Sequence, residues 1–527
     1  MLTLKQMTPE QKLGRVLCFR GLHDPDNIEF ALEMLKKNAC GPIQVGTYAT
    51  KLRPDLIRTL REAAPYPVVV VEDMELGYPK STLPKIPLGT LAASNNPEYS
   101  KMFGAALAKE AKEAGYNGIW GPIIDIATTG NARIAGDTVE TVLDATREIY
   151  KAFDSYRFHS CGKHYPGGWS DRPIDSHMAA PHSNQTKEEL LSNALVPYIK
   201  LMKEGLLPTI MVGHKIYDAI DPGVPASLSK KVMDIIREQG FDGVIYSDSY
   251  AMISILQTFG EKKAYAMGLM AGVDVLLPNY RTPMREVYRM MLESYREGLI
   301  TDERLDEAVR RVMALEQYCA EEPVDPVPVP DNVDEILSNV AKDCITADCD
   351  EGVPVAIDPD TKRLFVVAVP MDYTDDGVND EVEAVAKYNA NNTIRAIKEH
   401  FPNSDIELIP EFPKPRDNDR VLTAATKYDE VVFVSFCESA PYMGSDSLTR
   451  RIETVINALS LPGKLKALVH FGNPLAVRYL WPISRMIFGY NAPASQKYAF
   501  EVLAGKYPAK GKNPYAHRYA QMRGKEE

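Results

Sequence analysis

Short apolar, β-branched runs recur through the first part of the chain, and each is followed by a longer stretch whose apolar positions return every three or four residues. The runs are GRVLCFRG (14–21), CGPIQVG (40–46), PVVVVED (67–73), NGIWGPIID (117–125), FHSCGKH (158–164), LPTIMVGH (207–214), FDGVIYSD (241–248) and GVDVLLP (272–278). Continuous apolar runs of this length read as strands buried on both faces, and the intervening segments read as amphipathic helices. EYSKMFGAALAKEAKEAG (98–115) and KEELLSNALVPYIKLMKEG (187–205) are two of these helices, the second interrupted by Pro197. Eight strand–helix units over about 300 residues predict a (β/α)8 TIM barrel.

DERLDEAVRRVMALEQ (302–317) predicts an amphipathic helix, and the alternating prolines of EEPVDPVPVPDNVDE (321–335) cannot continue it. The expected organisation is therefore a barrel domain over 1–320, a proline-rich linker over 321–335 and a second domain over 336–527. The second domain alternates again: RLFVVAVP, a helix near 381–400, IELIP, a helix near 418–427, EVVFVSF, a helix near 447–460, LKALVHF and RMIFGY. That order predicts a three-layer α/β sandwich with a mainly parallel sheet.

Composition narrows the function classes. Apolar and charged fractions of 45% and 25% are those of a globular chain. A net charge of −12 disfavours nucleic acid and anionic membranes as partners. MLTLKQMTPEQKLGRVL lacks the pattern of a cleaved leader, no apolar run reaches membrane-span length, and a cytoplasmic location is expected. The seven cysteines are scattered without metal-ligand spacing, so neither a disulfide framework nor a metal site is expected. Cys161 and Cys437 lie in apolar runs and read as small buried side chains.

Polar residues concentrate where strands end. Asp73, Asp125, Lys163, His164, His214 and Asp248 each fall at or just past the carboxyl end of a predicted strand. One such residue reads as a cap; a set of them, costly to keep at one end of a barrel, points to a ligand. Asp248 is the sharpest candidate, a carboxylate suited to be metal ligand, base or nucleophile. Asp175-Ser176-His177 offers its complement, an imidazole whose tautomer a neighbouring carboxylate can fix for proton transfer.

KHYPG (163–167), DSH (175–177), GVPASLS (223–229), GFDGVIYSDSYAM (240–252) and, more loosely, VEDMELG (71–77) and GPIIDI (121–126) resemble the motifs of glycoside hydrolase family 3. The match is to its β-N-acetylglucosaminidase branch, in which a loop histidine serves as acid/base. FGNPLAVRYL (471–480) and the stretch from Ala492 resemble the family's second domain less specifically. The resemblance implies a retaining exo-acting hydrolase that uses no cofactor and removes terminal β-linked N-acetylhexosamine from small peptidoglycan- or chitin-derived oligosaccharides. It implies Asp248 as nucleophile, His177 as acid/base oriented by Asp175, and Asp73, Lys163 and His164 as ligands of sugar hydroxyls, with Asp125 and His214 at the same strand ends.

The chain also departs from the family pattern. Lys80 and Ser81 stand where an arginine is expected, as does Asp137 in NARIAGDTVE, and Gly168-Trp169 replaces a histidine-glycine pair after KHYPG. Arg172 is the candidate to replace a lost arginine, and Trp169 reads either as a platform for an apolar sugar face or as a plug in a long loop. These changes leave open a glycosidase or phosphorylase for another β-sugar, or a non-catalytic sugar-binding relative. Glu438 and Asn473 in the second domain read as caps of its own sheet ends. The sequence leaves the oligomeric state open, a homodimer included.

Overall fold

The computed structural model describes residues 2–46, 53–78, 81, 83–131, 133–172, 174–371, 373, 388–438, 446–492 and 494–522. Lys80 and the start of the helix expected near 381 lie outside the described residues. The chain is mixed α/β with parallel sheets and packs as two compact units.

In the first unit, strands Ile43–Gln44, Val70–Glu72 and Gly118–Ile119 form one parallel sheet. Cys161–Tyr165, Thr209–Val212, Val244–Ser249 and Val275–Leu277 form another. Isolated parallel bridges pair Phe19 with Ile43, Leu17 with Leu276, Gly118 with His159 and Ile123 with Lys163. The expected strand 14–21 is thus realised only at Leu17 and Phe19, where single bridges join the two sheets. Strand side chains Cys18, Val69, Val71, Trp120, Cys161, Met211, Val244, Tyr246, Val275 and Leu277 fill one buried cluster, and Val312, Leu315 and Cys319 of helix Asp302–Ala320 pack onto it.

Helices follow their sequence signals. Residues 98–115 give helix Pro97–Glu113. Pro197, which has no N–H to donate, falls where Lys187–Glu189 passes through a wide turn at Leu190–Ala194 before Val196–Lys203 resumes the helix. Ser229 caps helix Lys230–Glu238 by accepting from the Val232 amide at 3.3 Å.

The second unit holds a six-stranded sheet in the order Thr346–Cys349, Arg485–Phe488, Leu465–Phe471, Val431–Phe436, Leu364–Val369, Asp405–Pro410. Every pairing is parallel except that of Thr346–Cys349 with Arg485–Phe488. Helices Ala390–His400, Pro415–Ala425, Arg450–Ser460 and Ser495–Leu503 accompany it. The division of the chain corrects the expected boundary, because residues 83–99 and 127–145 group with 331–527. The reason is packing: Ala93 and Ala127 belong to the second unit's apolar cluster, and the Tyr515 hydroxyl donates to the Ile134 carbonyl at 2.6 Å. Asp137 lies in one of these segments, buried, and accepts from the Arg518 amide at 2.6 Å. Residues 322–330 carry no helix or strand, and Val324 and Val327 donate to Ser155.

Six of the cysteines are buried and Cys349 is partly exposed. Among the described residues, no helix is long and apolar enough to cross a membrane.

Candidate active site

Two strands that carry candidate residues are irregular at the point where they carry them. The Cys161–Tyr165 register against Thr209–Val212 shifts between Lys163 and Tyr165, and the Val244–Ser249 register against Val275–Leu277 shifts between Tyr246 and Ser249. Successive residues of a regular strand face opposite sides, and a shift interrupts that alternation locally.

Lys163 is 2% exposed, and its ammonium lies 2.9 Å from Asp73 Oδ1 and 2.6 Å from Glu75 Oε1. Glu75, which lies in VEDMELG but was not singled out by sequence, completes a cation held between two carboxylates. His164 is oriented twice by one carboxylate: its backbone amide donates to Asp125 Oδ2 at 2.8 Å, and its Nδ1 lies 3.2 Å from the same oxygen. Asp125 Oδ1 also accepts from the Tyr198 hydroxyl at 3.2 Å. Nδ1 of His164 therefore carries its proton toward Asp125, and Nε2 is left for other work.

His214 is almost fully buried, with Nε2 3.1 Å from the Ser249 carbonyl and Nδ1 2.7 Å from Ser227 Oγ. A carbonyl only accepts, so Nε2 carries the proton and Nδ1 accepts from the serine hydroxyl. Burial holds His214 below the usual histidine range, against the pull of Asp248. The motif GVPASLS thereby acquires a physical role: Ser227 fixes His214, and Ser229 caps the next helix.

Asp248 stands at the end of its strand, partly exposed, with Oδ1 accepting from the Ser249 amide at 2.7 Å. Burial alone would raise its carboxyl, but His164, His214, the Ser249 amide and His177 together hold it below the usual carboxylate range. It is therefore ionised at neutral pH.

His177 reaches this group by a loop. Its amide and its Nδ1 both lie 2.9 Å from Asp175 Oδ1, so the two-residue spacing closes the dyad locally. The loop docks on the segment that follows Asp248: the Ile253 amide donates to the His177 carbonyl at 3.2 Å, and Ser254 Oγ to the Ser176 carbonyl at 3.3 Å. With Nδ1 held by Asp175, the tautomer is fixed so that proton exchange falls to Nε2.

The structure brings Asp73, Asp125, Lys163, His164, Asp175, His177, His214 and Asp248 to the same strand ends and the loops beside them. Trp169, 37% exposed, and Arg172, also exposed, lie on the loop between KHYPG and DSH, which removes the reading of Trp169 as a buried plug. In the second unit, Glu438 accepts from the Tyr388 amide and Asn473 caps the turn Pro474–Val477. Sequence reasoning missed a buried chain beneath the site. Arg20 donates through Nε to Gln44 Oε1 at 2.6 Å and through Nη1 to Ser249 Oγ at 2.8 Å, and Gln44 Nε2 donates to Glu72 Oε1 at 2.7 Å. The one available signal was an arginine, a glutamine and a glutamate inside apolar strand runs, where a polar side chain needs a partner.

Comparison with known proteins assigns the geometry to a family. Residues 10–315 match the glycosyl hydrolase family 3 N-terminal domain. The chain belongs to glycosyl hydrolase family 3. A β-N-acetylglucosaminidase/β-glucosidase of Cellulomonas fimi is 27% identical over 334 residues, covering 59% of this chain and 58% of that protein. The chain thus spans less than two thirds of that relative's length. A β-hexosaminidase of Tolumonas auensis is 29% identical over 235 residues, covering 42% of this chain and 69% of its own. Among solved structures, a family 3 β-N-acetylglucosaminidase from Paenibacillus sp. str. FPU-7 superposes with a TM-score of 0.76 at 22% identity, over 97% of this chain and 99% of its own.

Proposed function

We propose that the chain is a retaining, exo-acting β-N-acetylglucosaminidase that releases terminal β-linked N-acetylhexosamine from small oligosaccharides, peptidoglycan- or chitin-derived. The observation that supports this reading is the His177–Asp175 dyad, whose loop docks on the segment following Asp248, a carboxyl held below its usual range. A (β/α)8 barrel is the natural frame for it, and the support is that the parallel pairings run strand by strand and return from Leu276 to Leu17.

In this mechanism Asp248 attacks the anomeric carbon, and His177 Nε2–H protonates the departing glycosidic oxygen. A glycosyl ester forms on Asp248 as the bond to the aglycone breaks. The imidazole, now neutral, then removes a proton from water, which attacks the same carbon and frees the carboxylate. Asp175 stabilises the imidazolium of each half-reaction and keeps Nε2 as the reacting atom. The Asp73–Lys163–Glu75 and Asp125–His164 groups present fixed donors and acceptors to sugar hydroxyls. The name of the Tolumonas auensis relative favours an N-acetylhexosamine, and that of the Cellulomonas fimi relative carries both an N-acetylglucosaminidase and a glucosidase activity.

A chromogenic N-acetyl-β-glucosaminide tests the reading. The wild type should release dye with net retention of configuration, and Asp248→Ala should abolish release while leaving the melting transition in place. Release from aryl glucosides but not from N-acetylglucosaminides would overturn the substrate assignment, and formation of a sugar 1-phosphate in phosphate buffer would overturn hydrolysis.

A further inference from the structure

We propose that Lys215 is a positioning residue for the acid/base histidine: its ammonium gathers the carbonyls at the root of the loop that carries His177 and so holds that loop in place for proton delivery. The proposal rests on His177 being the acid/base group.

Lys215 Nζ donates to the carbonyls of Gly168 at 2.6 Å, Gly167 at 3.1 Å and Trp169 at 3.3 Å. The Tyr217 hydroxyl also donates to the Gly167 carbonyl. Three successive carbonyls converge on one cation because Gly167 and Gly168 are both left-handed, at φ 77° and 76°. Only glycine adopts such a pair at little cost, and space demands glycine as well. A Cβ on Gly168 would stand 2.2 Å from Gln185 Oε1, and one on Gly167 2.9 Å from Asp125 Oδ1. Gln185 Oε1 in turn accepts from the Trp169 amide at 2.9 Å, so the turn is gripped on both sides.

The turn lies between the two halves of the site. It begins one residue after the KHYP segment that bears Lys163 and His164, and it leads to Asp175 and His177. Lys215 itself follows His214, whose Nε2 touches the Ser249 carbonyl next to Asp248. One lysine therefore ties the root of the acid/base loop to the strand end that contacts the nucleophile's neighbour.

The anchor is sensitive to pH. The titratable groups facing Lys215 are the Asp125 carboxylate and the phenol of Tyr217, whose ring centroid lies 5.9 Å from Nζ and whose hydroxyl is raised by burial and hence neutral. Burial pulls the Lys215 ammonium down to about 8, with Asp125 opposing. As pH rises through that value the charge is lost, and with it the charge-assisted part of three hydrogen bonds.

Lys215→Met and Lys215→Arg test this in the full chain, with aryl N-acetyl-β-glucosaminides whose phenols range from acidic to weakly acidic. A displaced acid/base group harms most the substrate that most needs protonation. Lys215→Met should lose about 10-fold or more in kcat/KM on the weakly acidic phenol and about 2-fold or less on the most acidic one. Lys215→Arg should restore both and shift the alkaline limb of kcat/KM upward. Amide hydrogen exchange should accelerate over 167–177 in Lys215→Met and remain unchanged over 244–249. Equal losses on all phenols, no rescue by arginine, or unchanged exchange over 167–177 would overturn the proposal. If the wild type turned over only aryl glucosides, the same ratio would be read on those, which separates a failed substrate assignment from a failed anchor. With no turnover on either series, the exchange comparison alone decides.

Discussion

Replacing Glu72 by glutamine should reverse a pH-dependent loss of stability that this buried carboxyl imposes. Glu72 is 4% exposed, its Oε1 accepts from Gln44 Nε2 at 2.7 Å and the Asp73 amide at 3.0 Å, and its Oε2 has no hydrogen-bond partner among the described residues. Burial first, and the Asp73 carboxylate second, push its carboxyl from the ordinary 4.5 up to about 7. The native state therefore holds this proton more tightly than the unfolded chain. The resulting stabilisation is fully present below about 4.5 and is lost as pH rises through about 7. A gap of about 2.5, at about 1.4 kcal/mol per pH unit, amounts to about 3 kcal/mol. Glu72→Gln retains the Oε1 acceptor and cannot ionise, so its stability relative to wild type should rise by up to about 3 kcal/mol between pH 5 and pH 8. Glu316, paired with Arg15, is likewise raised to about 7 and persists in the variant, so only the difference between the two curves isolates Glu72. Urea denaturation at pH 5, 6, 7 and 8 measures that difference. Parallel wild-type and variant curves would refute the assignment of a raised carboxyl to Glu72.

Two further changes probe what the buried polar residues do. Arg20→Ala removes the donor shared by Ser249 Oγ, Gln44 Oε1 and the Pro278 carbonyl, and kcat should fall about 10-fold or more with KM little changed, because Ser249, the neighbour of Asp248, loses its support; a lowered melting temperature with unchanged kcat would refute a positioning role. Asp274→Ala leaves Arg237, Arg304 and Arg311 without the fully buried carboxylate they share, which should cost about 3–5 kcal/mol and lower the melting temperature by about 10 °C in calorimetry.

The strands and the acidic and basic groups at their ends were legible along the chain for a simple reason. A strand buried on both faces must be apolar at nearly every position, as VVFVSF at 431–436 is, so a polar residue at its end stands out. The Asp175–His177 contact was legible too, because two residues of loop suffice to close it. Thr346–Cys349 was missed because TADC carries no apolar run; it becomes a strand only by pairing with Arg485–Phe488. Residues 83–99 and 127–145 were assigned to the wrong unit because their apolar content says that they are buried and not against what.

What the sequence determined by itself was periodicity, residue chemistry and the local loop dyad, all of which depend on neighbours within a few positions. Tertiary structure alone decided that Arg20 meets Ser249 across 229 residues, that Lys163 meets Asp73 and Glu75, and that Lys215 finds three loop carbonyls. Hydrogen bonds and ion pairs act over a few ångströms and in fixed directions, so their partners are set by how distant strands align, which no local pattern encodes.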